Sequence, residues 1–204
     1  MNFIFSGILL SNFDEQFTNS YYHSIYDNST TNGYDHDLGP DQDIIGHLAK
    51  VVETLALTIY KHFNKNPPNN FTANKTLIND LIYCYTVTAQ CDMFKAVNGL
   101  NLVLPDYPLP QYVGVERSLT YHTIFTSRLL AYLTSKPIQN QKPNNCSAPE
   151  DQNVYHYIPM KGLVKPSWYE GNQTECDQDI ECGYCYKTTM WTAPAVSPGI
   201  YTYN

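Results

Sequence analysis

Cys182-Gly-Tyr-Cys185 has the spacing of a thiol-disulfide exchange motif, with a small and an aromatic residue between two sulfurs. That chemistry needs a buried strand before the motif and a helix that starts at the first cysteine. The residues in front, Glu175-Cys-Asp-Gln-Asp-Ile-Glu181, do not read as a strand. A zinc knot built with Cys176 and His156 is a second use of the same thiols. Structural disulfides are the default reading of both. His23 is the other candidate. It stands in Asn19-Ser-Tyr-Tyr-His-Ser-Ile-Tyr-Asp-Asn-Ser-Thr30, an imidazole near a carboxylate in an aromatic setting, just after an apolar run. A co-catalytic metal pair needs a bridging carboxylate, further His, Asp or Glu ligands and a glutamate base. One imidazole does not supply them.

Other catalytic patterns are absent from the sequence: there is no GxSxG, no GxGxxG and no P-loop. His36, His47, His62, His122 and His156 lie apart, without the HExxH spacing that puts two imidazoles on one helical face, and read as surface or capping residues. No catalytic residue, metal ligand or cofactor is therefore assigned.

The chain has 204 residues, 43% of them hydrophobic, enough to fill the core of one domain or of a large piece of one. Its formal net charge is -7, and of its 12 basic residues only Arg117 and Arg128 are arginine, so no basic stripe exists to follow a phosphate backbone. Nucleic acid is excluded as a partner. Six cysteines, at Cys84, Cys91, Cys146, Cys176, Cys182 and Cys185, form an even set that allows fifteen pairings. Asn-x-Ser/Thr sequons occur at Asn28, Asn70, Asn74, Asn145 and Asn172, where chance would give about three. Cysteines and sequons together point to a glycosylated, disulfide-bonded chain on the lumenal or extracellular side of a membrane. The opening MNFIFSGILLSNF lacks a basic n-region and is broken by Ser6 and Gly7, so Phe3 to Leu10 reads as a buried strand rather than a secretory signal. No run reaches the ~20 apolar residues of a membrane helix. A secreted-type chain without an export signal reads as part of a longer protein.

The elements that must position these residues follow from periodicity. Thr31 to Pro40 is turn-rich, with Asn32-Gly33 and Gly39-Pro40 as breakers. A helix capped by Asp41 follows. Its apolar residues Ile44, Leu48, Val51, Val52, Leu55, Ile59 and Phe63 predict one buried face, and Pro67-Pro68 ends it. A second helix, Lys75 to Tyr85, offers Leu77, Ile78, Leu81, Ile82 and Tyr85; a short one spans Asp92 to Val97. Leu104 to Pro110 is a loop and Gln111 to Val115 a short strand. Leu119 to Leu133 is a helix with Tyr121, Ile124, Phe125, Leu129 and Leu133 on one side. After Lys136 the chain turns to Asn, Gln, Pro and Gly, with four of the cysteines and one strand-like run, Asn153 to Ile158.

The order of strand, His-Ser-Ile-Tyr-Asp, polar turn and long acid-capped helix resembles the last metal-ligand segment of the zinc aminopeptidase (M28), transferrin receptor and glutamate carboxypeptidase superfamily. There a Tyr-His-Ser-Val-Tyr-Glu type motif gives a histidine to a two-zinc site, and the matching position is His23. Read with its flanks, the chain resembles the nicastrin family more closely, the large glycoprotein subunits of γ-secretase, whose aminopeptidase-like ectodomain has lost peptidase function. The residues that carry this are Ser6-Gly-Ile-Leu-Leu10, Tyr21-Tyr-His-Ser-Ile-Tyr-Asp27, Ile44 to Phe63, Leu109-Pro-Gln-Tyr-Val113, Val154-Tyr-His-Tyr157, and Cys185 with Ala193-Pro-Ala-Val-Ser-Pro198. That family commonly has glutamine where this chain has His23.

The resemblance implies an α/β fold: the C-terminal part of an aminopeptidase-like large lobe over residues 1–136, a mixed sheet flanked by helices. Residues 137–204 would be a disulfide-tied tail leading to a membrane span. It implies the pairings Cys146–Cys185, Cys84–Cys91 and Cys176–Cys182, the first worth about 3–4 kcal/mol by the chain-entropy estimate. Implied partners are the N-terminal remainder of the ectodomain, presenilin with the other γ-secretase membrane subunits, and type I membrane protein substrates. The implied role is non-catalytic. The rival reading is a working M28-type zinc peptidase with His23 as its last ligand. So few strands would leave helix faces uncovered, so the chain is expected to need the upstream portion in order to fold.

Overall fold

The structure, a computed structural model, describes residues 20–21, 26–63, 66–68, 70–99, 102–110, 120–138, 141–146, 155–178 and 182–189. The expected strands Phe3 to Leu10 and Gln111 to Val115, and His23 itself, lie outside the described residues. Helix α1 spans Asp43–His62, α2 Lys75–Thr86, α3 Asp92–Val97, α4 Tyr121–Thr134 and α5 Gln173–Gln178; β1 spans His156–Met160 and β2 Tyr184–Thr188. Helices beside a small antiparallel sheet are consistent with an α/β class.

A 3-10 turn, His36–Asp41, leads into α1. Gly39 within it sits at φ 69°, a backbone region that glycine enters without steric cost. Gln42, not Asp41, takes the position before the helix, and its side chain does not cap it. Instead Gln42 Oε1 accepts from the Asp35 N–H at 2.9 Å, while Nε2 donates to the Gly39 carbonyl at 2.6 Å. Asp41 faces Lys75 at 3.7 Å, a pair so exposed that it adds little.

The buried side of α1 differs from the expected one. Ile45 and Ala49 are buried. Leu48, Val51, Val52, Leu55 and Ile59 are 39–56% exposed. Small Ala49 beside Ile45 makes a narrow seam against the 3-10 turn and α2, and Glu53 at its edge accepts from the Ala73 N–H at 2.9 Å. The larger apolar residues flank that seam and stay exposed.

α2 starts where Asn74 Oδ1 accepts from the Leu77 N–H at 3.1 Å, and α4 where the Thr120 hydroxyl accepts from the Thr123 N–H at 3.4 Å. The core lies between α2, α3, α4 and the sheet, with Phe94, Val97, Phe125, Leu129, Met160 and Tyr186 among its buried members. Phe94 meets Tyr85 edge-on and Phe125 at a tilt, both with ring centres 5.2 Å apart. On α4, Phe125 and Leu129 are buried as the periodicity has it, but Tyr121 and Leu133 are exposed and Ala131 is buried in their place.

β1 and β2 pair antiparallel, Ile158 opposite Tyr186 and Pro159 opposite Cys185. Strand β2, Tyr184–Thr188, and the single-turn helix α5 were not expected from composition. One face of this ribbon carries Ile158, Met160 and Tyr186 into the core, Tyr186 with its ring 5.5 Å from Tyr132 of α4. The other face has Lys187 opposite Tyr157, its ammonium 4.0 Å from the Tyr155 ring centre. Pro159 and Cys185 both turn their carbonyls out of the ribbon: Arg128 Nη1 donates to Pro159 O at 3.1 Å, and the Ile138 N–H donates to Cys185 O at 2.8 Å. Pro159 is tolerated in the strand because its missing N–H falls on the outer edge.

Arg128 Nη1 also donates to Val97 O, the last carbonyl of α3, at 3.0 Å. Burial draws the Arg128 pKa below its ordinary value, yet guanidinium stays charged in proteins. Gly99 lies two residues on, and a β-carbon there would overlap the Pro159 carbonyl oxygen and press on Arg128 Nη1. Replacing Arg128 with Met leaves the Pro159 carbonyl without its donor, while Val97 O keeps the Gly99 N–H at 2.9 Å, and should cost about 1–3 kcal/mol. The check is faster hydrogen exchange in both α3 and β1, with Gly99→Ala producing the same pattern.

Candidate functional site

The sequon asparagines occupy turns and helix starts. Asn28 Oδ1 accepts from the Thr30 and Thr31 N–H groups at 3.1 and 3.2 Å. Asn74 caps α2. Asn172 caps α5 reciprocally: its Oδ1 accepts from the Glu175 N–H at 2.8 Å while Glu175 Oε2 accepts from the Asn172 N–H at 3.1 Å. A sugar is attached through Nδ2, so these three asparagines can hold their caps and still carry one. Asn70 is exposed in a left-handed conformation, φ 58°. Asn145 is exposed in a 3-10 turn, Pro143–Asn145.

Disulfides join Cys84 to Cys91, Cys146 to Cys185 and Cys176 to Cys182, with Cα separations of 5.3, 5.2 and 5.2 Å. Cys182 and Cys185 thus have different partners, which removes the exchange motif and the zinc knot together. Cys84–Cys91 ties the end of α2 to the start of α3, where Cys91 Sγ accepts from the Phe94 N–H at 3.4 Å.

Two histidines are not the surface residues that their isolation in sequence implies. His36 stacks on Tyr83 with ring centres 3.9 Å apart, and its Nδ1 is 3.0 Å from the Tyr34 hydroxyl. Tyr34 is buried and donates to the Asn79 main-chain carbonyl at 3.0 Å, with Asn79 Oδ1 at 3.1 Å. Burial first, then Asp80, Tyr83 and Asp35, push its phenol up to about 12. Such a phenol stays protonated and acts as a strut between the 3-10 turn and α2, not as a base or nucleophile. The sequence clue was thin: one aromatic between two glycine breakers. Beside it lies a groove of about 420 Å³ bordered by His36, Asp80, Tyr83, Gln90, Lys95 and the Cys84–Cys91 bridge. Lys95 pairs with Asp92 at 3.6 Å, and the sulfurs are oxidised. The groove therefore offers no activated nucleophile. Among the described residues no three His, Cys, Asp or Glu side chains are placed to hold a metal ion.

His122 on α4 packs against Tyr85, ring centres 5.4 Å apart, and burial lowers its pKa. Tyr85 bonds to the Thr126 hydroxyl at 2.8 Å; burial raises its pKa, partly offset by that bond.

What remains is a cross-linked body with sequon asparagines on its turns and an exposed apolar helix face, and it has relatives. Across 95% of its length the chain is 29% identical to rat nicastrin, over 217 aligned residues. Mouse and human nicastrin are 28% and 27% identical over the same share. The chain is nicastrin-related. It spans about 28% of the length of these relatives. No family model matches it.

In this nicastrin-related chain the partly buried His122 sets a pH response. Its folded pKa lies below the ordinary value of 6.5, so as pH falls through 6.5 the unfolded state takes up a proton that the folded state refuses, and stability drops. Hydrogen exchange in α4 should quicken between pH 7.5 and 5.5, and His122→Leu should flatten that dependence. An unchanged slope would assign it to the other histidines.

Proposed function

We propose that this chain belongs to the lumenal ectodomain of a non-catalytic, nicastrin-type subunit of γ-secretase. The observation that carries the reading is similarity to nicastrin along 95% of the chain. Three disulfides and sequon asparagines on turns and helix starts support an oxidising, glycosylating compartment. No helix among the described residues is long and apolar enough to cross a membrane. In this reading residues 1–136 contribute to an aminopeptidase-like lobe, and residues 137–204 are a tail running toward the bilayer. The subunit takes part in assembly with presenilin and the other membrane subunits. As bulk above the protease, it recruits type I membrane proteins with short ectodomains and sterically excludes long ones.

The exposed face of α1 is where the preceding part of the lobe packs. Leu48, Val51, Val52, Leu55 and Ile59 form a helical stripe, and the relatives carry more than twice as much sequence outside the matched region as within it. Covering each such side chain fully contributes about 1.5–3 kcal/mol.

In cells that express the complete polypeptide, Val52→Glu with Ile59→Glu should lower the amount of subunit recovered with presenilin by roughly tenfold, the effect of only ~1.4 kcal/mol. Lys50→Glu should leave it unchanged. Peptidase activity of the purified ectodomain, lost with a chelator and with His23→Ala, would instead establish the zinc peptidase.

A further inference from the structure

The sequon at Asn145 differs from the other four in one respect. Its middle residue is Cys146, in Asn145-Cys146-Ser147, and Cys146 is bridged to Cys185. Cys185 is fully buried in β2. The backbone around the acceptor is held as well: the Asn145 N–H donates to Lys142 O at 3.1 Å, the Cys146 N–H to Pro143 O at 3.2 Å, and Gln141 Nε2 to Asn145 O at 2.7 Å. An enzyme that glycosylates asparagine must enclose three consecutive residues. Here the middle one is anchored beneath a strand.

We propose that Asn145 accepts an N-linked glycan only while Cys146 is reduced, so that closure of Cys146–Cys185 ends its time as an acceptor. Two reactions thus compete for one tripeptide. In the first, Asn145 Nδ2 loses a proton and bonds to the anomeric carbon of an oligosaccharide pyrophospholipid, and the lipid diphosphate leaves. In the second, the two thiols give up two protons and two electrons to a lumenal disulfide, which becomes a dithiol. The order matters in one direction only. Sugar placed first on exposed Asn145 does not stop the bridge, whereas the bridge placed first holds Asn145 and Cys146 in their turn. The other four sequons have no cysteine and are not gated in this way.

This inference rests on the lumenal reading, and its test separates the two. The full-length protein is expressed in secretory cells, and occupancy of each sequon is measured by mass spectrometry after enzymatic deglycosylation in heavy-oxygen water. Non-reducing peptide mapping of the same sample reports the bridge. Asn145 should be occupied about threefold less than Asn74 and Asn172. Cys185→Ser, which frees Cys146, should bring it up to their level, and adding Ser147→Ala should abolish the gain. Cys176→Ser with Cys182→Ser breaks a neighbouring bridge, controls for general misfolding, and should leave Asn145 low. Full occupancy in the bridged wild type, no change with Cys185→Ser, or an equal rise in the control would overturn the proposal alone. Absence of sugar from all five sequons would overturn the lumenal reading and the proposal with it.

Discussion

One guanidinium nitrogen holds the centre of this structure. Arg128 Nη1 reaches from α4 to the last carbonyl of α3 and to the Pro159 carbonyl of β1, so three elements distant in sequence share a single charged donor. Hydrogen bonds from a charged group are about twice as strong as neutral ones. Without this donor, the Pro159 carbonyl would lose its partner and Val97 O would keep only the Gly99 N–H. The close approach depends on Gly99, since any side chain there would occupy the space through which helix end and strand meet. The aromatic packing of Phe94 on Phe125 and the seating of Met160 follow from this junction, because it fixes the distance between α3, α4 and the ribbon.

Legibility in the sequence tracked locality. α1, α2, α3 and α4 were readable because each carries its own period and stop signals, and Asn98-Gly99 ended α3 within a residue of its observed terminus. The buried side of α1, Ile45 and Ala49, is not legible because periodicity locates an apolar stripe but not what covers it. α5 is hidden although Asn172-Gln-Thr-Glu175 spells a capping box, because its six residues are too few to carry a helical period. β2 was missed because Tyr184–Thr188 alternates weakly, and its partner strand lies more than twenty residues earlier. The Tyr34, His36 and Asn79 cluster joins residues 43 to 45 positions apart. No window along the chain displays such a set. At the candidate site, the sequons and cysteines were plain as residue types, whereas their caps and anchoring were not.

Chemistry and architecture point the same way. The residues that drew notice for reactivity are spent on structure: the CxxC thiols are in separate bridges, the buried phenol of Tyr34 is a strut, and His122 fills space beside Tyr85. Among the described residues these groups bond or pack against neighbouring elements. The nicastrin relatives are longer, and the chain matches about 28% of their length.

The two prolines of the ribbon have a consequence for how the protein survives its own synthesis. Pro159 takes up the free side of β1 with a ring and a carbonyl already bound to Arg128, while Pro137 bridges to Tyr186 and Ile138 occupies the free side of β2. Neither margin presents the row of unused amides that lets a stranger's extended segment zip on. Many newly made copies can crowd together in one compartment without this sheet growing from molecule to molecule.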